Sequence, residues 1–247
     1  MPIEILHIDG HALFRADGED LRRAVQVAVE DGVDLSGADL AHADLRGANL
    51  EDARMAGANL TGARLDGSNV EDADLAGANL DDASIRGANL ESATMAGASL
   101  ARANLDGANV ERVNLAGAVL DGIHAKRANF ERANMVRVRA RGAVMQQANV
   151  TKCDLQEADL SEADLAGANL EKCNLRDARL VSTKLAGANV EKADLRGADF
   201  TNADLEEANL EKCDVEGACL DGAKLDGANI EKMNGRLRSR NGLGPYR

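Results

Sequence analysis

From Val33 onward a large apolar residue returns at every fifth position, beginning Leu35, Leu40, Leu45, Leu50, Met55 and Leu60 and continuing through Leu225 and Ile230 for 40 consecutive repeats. Two residues before each lies a small one, usually alanine, as at Ala38, Ala43, Ala48 and Ala53. A period of five matches neither the 3.6-residue helix nor the two-residue strand. A long helix would spread these leucines around its circumference, and a simple strand would send alternate ones to opposite faces. Neither buries the pattern. Where the large position shrinks to Ala125 the small one grows to Ile123, and Val138 precedes Ala140 in the same way. Such exchanges conserve volume, as a narrow close-packed interior demands.

Before the repeats, residues 1–32 form a different segment. Ile3, Ile5, Leu6 and Ile8 predict a short strand, Asp9-Gly10 a turn, and His11 to Arg15 a second strand. Leu21, Ala24, Val25, Ala28 and Val29 recur at helical spacing, so residues 19–30 read as an amphipathic helix stopped by Gly32. This segment suits a cap over the exposed edge of the first repeats. The organisation is then a cap over 1–32, repeats over 33–234 and a basic tail over 235–247. In that tail, GRLRSRNGLGPYR leaves two readings open. Leu237, Leu243 and Tyr246 fold over the last repeats, or the tail is mobile and its Arg236, Arg238, Arg240 and Arg247 are solvated or add a contact.

The spacing resembles the pentapeptide-repeat family, whose motif is A(D/N)LXX, over about four fifths of the chain; the stretch from Leu13 to Leu35 also resembles the start of some members. The resemblance implies an all-β fold, a right-handed quadrilateral parallel β-helix solenoid of about ten coils, with the β-hairpin and helix as its N-terminal cap. Every twentieth residue from Asn49 to Asn229 is asparagine, which supports a 20-residue coil and predicts a stacked amide ladder. At the spacing of adjacent strands, ten coils would span on the order of 45–50 Å.

A 20-residue coil sorts the exterior into columns. One carries Glu51, Glu71, Glu91, Glu111, Glu131, Glu171, Glu191, Glu211 and Glu231, beside a column that passes from Asp52 and Asp72 through Ser92 and Arg112 to Lys152, Lys172 and Lys232. Either this is salt-laced solubility or a protein-binding stripe. A second strip, Ala56-Gly57, Ala76-Gly77, Ala96-Gly97 and Ala116-Gly117, is smooth enough for close approach of a partner or of a second copy in a homodimer, or is built of tolerant turn residues. Lys126, Arg127, Arg132, Arg137, Arg139 and Arg141 oppose only Glu131 and form a basic girdle, either paired to neighbouring acids or open to an anionic partner.

Composition narrows the function. The net charge of −13 disfavours direct binding to nucleic acid or anionic membrane, and no stretch can cross a bilayer. With no secretory signal and no paired CxxC, a cytoplasmic protein with reduced thiols is expected. Cys153, Cys173 and Cys213 share an inner column and pack as small hydrophobes, with a Cys153–Cys173 disulfide as the alternative, while Cys219 is expected outside. His7 and His11 lie in the first segment, and His42 and His124 fall far apart along the chain, so no metal site is expected. No nucleotide loop, serine elbow or HExxH pair is present, and a filled interior offers no deep pocket; no catalytic residue and no cofactor are assigned. The expected function is a non-enzymatic protein-interaction or structural scaffold for a protein partner the sequence does not name. The alternative comes from the resemblance: members associated with quinolone resistance look like duplex DNA in shape and charge and bind type II DNA topoisomerase. The dimers common among them join through C-terminal elements with no recognisable equivalent here.

Overall fold

The computed structural model describes residues 2–18, 20–239 and 242–244. Its regular elements are, in chain order, β1 (Ile3–Leu6), β2 (Ala12–Ala16), α1 (Leu21–Glu30), β3 (Leu237–Ser239) and β4 (Gly242–Gly244). The expected all-β fold, a right-handed quadrilateral parallel β-helix solenoid, is corrected by this inventory. Strands occur only in two antiparallel pairs, β1–β2 and β3–β4, and no strand runs anywhere in the repeats. The physical reason is the period itself. A two-residue turn consumes part of every five, leaving three extended residues of which only the middle one is bridged. That is too short for a strand.

What the repeats form is a column of turns and single bridges. The bridged residues pair in parallel with those 20 positions on, as in Asp34 with Arg54, Arg54 with Asp74 and Asn49 with Asn69. Backbone hydrogen bonds tie each 20-residue winding to the next: Leu50 N–H donates to the Asn69 carbonyl at 2.7 Å and Asp52 N–H to that of Glu71 at 3.0 Å. Ala53 N–H closes the turn onto the Leu50 carbonyl at 3.1 Å. The second turn residue of every repeat from 37 to 232 has φ near +60°, a conformation shared by 22 non-glycine residues and 18 glycines. None of those 22 is β-branched, since a branched Cβ clashes hardest in the left-handed region.

The core runs through the middle of the windings. Leucines such as Leu45, Leu80 and Leu180 are wholly buried, as are Phe130 and its neighbour on the next repeat but one, Ala140. Each fully buried leucine contributes roughly 1.5–3 kcal/mol. Ile123 beside Ala125 and Val138 beside Ala140 are all buried, and the turn-and-bridge rhythm passes residue 140 without a break.

At the start, β1 and β2 pair with a register shift between Ile5 and Leu6, and α1 buries Ala24, Val25 and Ala28. The helix begins at Leu21 because the Asp20 carboxylate accepts from the Arg22 N–H at 3.0 Å. Residue 19, where the sequence places the helix start, lies outside the described residues. The hairpin docks on the first winding through Ile8 N–H to the Gly37 carbonyl (2.9 Å) and Asp39 N–H to that of Leu6 (2.7 Å). At the other end Leu237 packs partly buried against the core, and Arg238 N–H donates to the Ala218 carbonyl at 2.7 Å. β3 and β4 therefore form a hairpin where the sequence left a mobile tail open. Arg240, Tyr246 and Arg247 lie outside the described residues, as does the Leu243 side chain. No helix among the described residues is long and apolar enough to cross a membrane.

Candidate interaction surfaces

Each repeat with a winding on both sides satisfies four of its five amides through backbone bonds, and the first turn residue is left over. The bridged Asn or Asp serves it: Glu71 N–H donates to Asn69 Oδ1 (3.4 Å), Ala76 N–H to Asp74 (3.0 Å) and Asp81 N–H to Asn79 (3.0 Å). This is an Asx turn, and it explains the (D/N) of the motif. Where Ser84, Ser99, His124 or Arg139 occupies the bridged place, an aspartate one winding below substitutes. Asp66, Asp81, Asp106 and Asp121 accept from the amides of Arg86, Ala101, Lys126 and Arg141 respectively, at 2.8–3.2 Å. These four acids are thus committed to the chain's own backbone.

The asparagine column forms the expected ladder. Asn69 donates to Asn49 at 3.1 Å, Asn89 to Asn69 at 3.1 Å and Asn109 to Asn89 at 2.9 Å, with the same bond at five further steps. Between Asn149 and Asn169 no such bond is found among the described residues; there the Thr151 hydroxyl donates to Asn149 Oδ1 at 2.9 Å. Thr151 stands where the column otherwise carries glutamate.

Beside the ladder the two halves of the column part company. Glu51 and Glu71 accept only from asparagine amides, at 3.1 and 3.0 Å, and Asp52 and Asp72 face solvent without a cation at ion-pair distance among the described residues. From Glu91 to Glu211 every glutamate of this column meets a cation. Arg112 joins Glu91 and Glu111, Lys152 joins Glu131 at 2.8 Å, Lys172 joins Glu171 at 2.8 Å, and Lys212 joins Glu211 at 2.7 Å; Lys232 reaches Glu211 as the column ends. The Lys172 and Lys212 ammonium groups hold Glu171 and Glu211 below the usual carboxylate range.

The basic girdle divides as well. Arg137 pairs with Glu157 (2.8 Å), Arg139 with Asp121 (2.7 Å), Arg141 with Asp159 (2.6 Å) and Arg132 loosely with Glu131 (3.9 Å). Partial burial pushes Asp159 up, but bonds from Ser161 and Arg141 outweigh it and leave the carboxyl below its ordinary value. Lys126 and Arg127 have no such pair among the described residues and line a shallow depression of about 350 Å³ with Gln146, Gln147 and Ala166. The small-residue strip is open. Gly57, Gly77, Gly97 and Gly117 are exposed, Ala56, Ala76, Ala96 and Ala116 half-buried beside them, and a Cβ placed on any of the four glycines would meet nothing within 4 Å.

The cysteines are all free. Cys153, Cys173 and Cys213 are buried and donate to the carbonyls of Phe130, Val150 and Val190 at 2.8–3.0 Å. Burial pushes the Cys213 thiol up to about 11. Cys219, placed outside by the sequence, is buried too, with the Thr201 hydroxyl 3.5 Å from its sulfur; its backbone is bridged to Arg238 of β3. Sequence reasoning also passed over one cluster, His7, Asp9 and His11, whose alternate spacing across a turn was the available signal.

Comparison with known proteins agrees with the repeat. The family model of pentapeptide repeats matches residues 34–72, 73–112, 83–122, 111–147 and 126–161, and that of the pentapeptide repeat region matches 154–230. No curated protein matches the chain. Among solved structures it is similar to HetL, a pentapeptide repeat protein involved in heterocyst differentiation regulation from the cyanobacterium Nostoc sp. strain PCC 7120. The identity is 28%, over 88% of this chain and 95% of that one, with a TM-score of 0.36. A pentapeptide repeat protein from the Arabidopsis thaliana thylakoid lumen is 32% identical over 33% of this chain and 57% of its own, with a TM-score of 0.33. QnrB1, a plasmid-mediated fluoroquinolone resistance protein, is 19% identical over 78% and 89%, with a TM-score of 0.33. The chain belongs to the pentapeptide-repeat family.

Proposed function

We propose that the protein is a binding body whose acidic N-terminal windings dock on a cationic protein surface shaped to hold duplex DNA, that of a type II DNA topoisomerase. The observation that carries this reading is the unneutralised face Glu51, Asp52, Glu71 and Asp72, displayed on a backbone with a fixed repeat. Regularly spaced exposed charge of one sign favours steering to, and register on, a surface of the opposite sign. The repeats supply position and the carboxylates supply recognition; no chemistry is required of either.

The test is a supercoiling assay with DNA gyrase. Added protein should alter supercoiling or relieve quinolone-stabilised cleavage, and the quadruple variant Glu51→Gln, Asp52→Asn, Glu71→Gln, Asp72→Asn should lose the effect while keeping its fold. No effect of the wild-type protein at saturating concentration overturns the reading.

A second reading, a scaffold for another protein or a homodimer, is favoured by the open strip of alanine and glycine. Gly77→Lys and Gly97→Lys place long charged side chains there without meeting a neighbour at the Cβ. On this reading both variants lose a partner, or the dimer, that the wild-type chain retains in pull-down and in light scattering. Unchanged partners and mass in both variants count against it.

A further inference from the structure

The hairpin that opens the chain turns tightly between its strands. His7 N–H donates to the His11 carbonyl at 2.8 Å, and Gly10 N–H closes the turn onto the His7 carbonyl at 2.8 Å with φ of +94° at Gly10. This closure brings three alternate side chains, His7, Asp9 and His11, to one side. One oxygen of Asp9 lies 2.9 Å from His7 Nδ1 and 2.5 Å from His11 Nδ1, and a ligand atom from each of the three falls within 4.8 Å of the others. The two imidazoles stack, with centroids 4.7 Å apart and planes 22° from parallel.

Two features make this more than an incidental contact. The first is how His7 is seated. Its ring lies over Gly37, where a Cβ would fall 2.2 Å from Nε2, so only glycine leaves room for it. Gly37 is also bound to the hairpin through the Ile8 amide, which fixes the ring against the first winding. The second is the direction of the lone pairs. His7 Nδ1 accepts from the Asp9 N–H at 3.2 Å and so presents a lone pair; the carboxylate oxygen 2.9 Å away presents its own. Two facing lone pairs repel unless a proton or a cation sits between them.

We propose that His7, Asp9 and His11 form a binding site for a divalent first-row transition-metal ion, with two imidazole nitrogens and one carboxylate oxygen as ligands. This donor set suits Zn²⁺, and the exposed side of the turn leaves the remaining coordination positions to water. The ion would cross-link the two arms of the hairpin to each other. Because His7 is seated on Gly37, it would also fasten the hairpin to the first winding. The site is independent of the acidic face and of any topoisomerase.

The experiment is a Zn²⁺ titration of the full chain by calorimetry in a buffer that does not chelate, with Co²⁺ as a spectroscopic substitute. One ion per chain is expected, with a rise in the thermal midpoint on binding. Asp9→Asn and His11→Gln both alter exposed side chains, and each should weaken binding about tenfold or more. His42→Gln and His124→Gln should leave it unchanged. Far-UV circular dichroism confirms that each variant is folded. Absence of saturable binding by the wild-type chain, or binding insensitive to both Asp9→Asn and His11→Gln, overturns the proposal.

Discussion

Windings 33–121 and 144–234 carry the same net charge of −9, yet they reach it differently. In the first stretch, 15 acids face six bases, and the asparagine side shows bare carboxylates at Asp52 and Asp72. The second has 19 acids and ten bases, and its glutamates on that side are laced by Lys172, Lys192, Lys212 and Lys232. Backbone and core are alike in the two. The turn-and-bridge frame therefore fixes where side chains stand but not what they are, and the two halves of one face can present different surfaces.

If the halves differ only on the outside, emptying either core should cost the same. Leu80→Ala and Leu180→Ala, both wholly buried, should each destabilise by about 2–5 kcal/mol in denaturant unfolding. Widely different costs would break the comparison. Next in size is conversion of one half into the other. The triple variant Lys172→Glu, Lys192→Glu, Lys212→Glu should unfold at a lower temperature than wild type in low salt, and added salt should narrow the gap, because like charges stacked at short range repel and are screened.

Ser92 marks the crossover of the same column and holds φ of +59°. Ser92→Gly should raise stability by about 0.5–1 kcal/mol, since glycine relieves the left-handed strain and returns part of the gain as chain entropy. The smallest effect is expected from Asp44, whose carboxyl is held down to about 2 by the Arg46 guanidinium. A depressed value means stability present above the ordinary 3.8 and lost as pH falls from there toward about 2. The thermal-midpoint difference between wild type and Asp44→Asn should be constant near neutrality and vanish across that window.

The core, its phase and the asparagine ladder were legible because period and volume are written directly in residues such as Leu35, Ala38 and Asn49. The local conformation was not. Glycine fills fewer than half of the left-handed positions, so Asp52, Arg112 and Lys152 hid a constraint that geometry alone reveals. The family resemblance supplied strands that a five-residue repeat has no room to extend. Cys219 looked external by its place in the repeat, but it is buried, with its sulfur beside the Thr201 hydroxyl of the winding before. The carboxylates of Asp66 and Asp121 read as surface charge although they cap amides on the next winding. His7 and His11 were set aside as metal ligands, and Asp9 was read only as a turn residue, because attention to turns and strands does not show which side chains a turn gathers.

The 20-residue bridge carries one more consequence, for how such a chain tolerates insertion and deletion. Removing a whole winding shortens the column and leaves every outer side in line. Removing five residues keeps leucine inside and alanine beside it, so the core still fits. It also carries every later outer column onto the neighbouring side: Lys172 would no longer stand above Asp52, and the asparagine ladder would be cut. The repeat thus works as an index with two settings, one that counts length and one that turns the face.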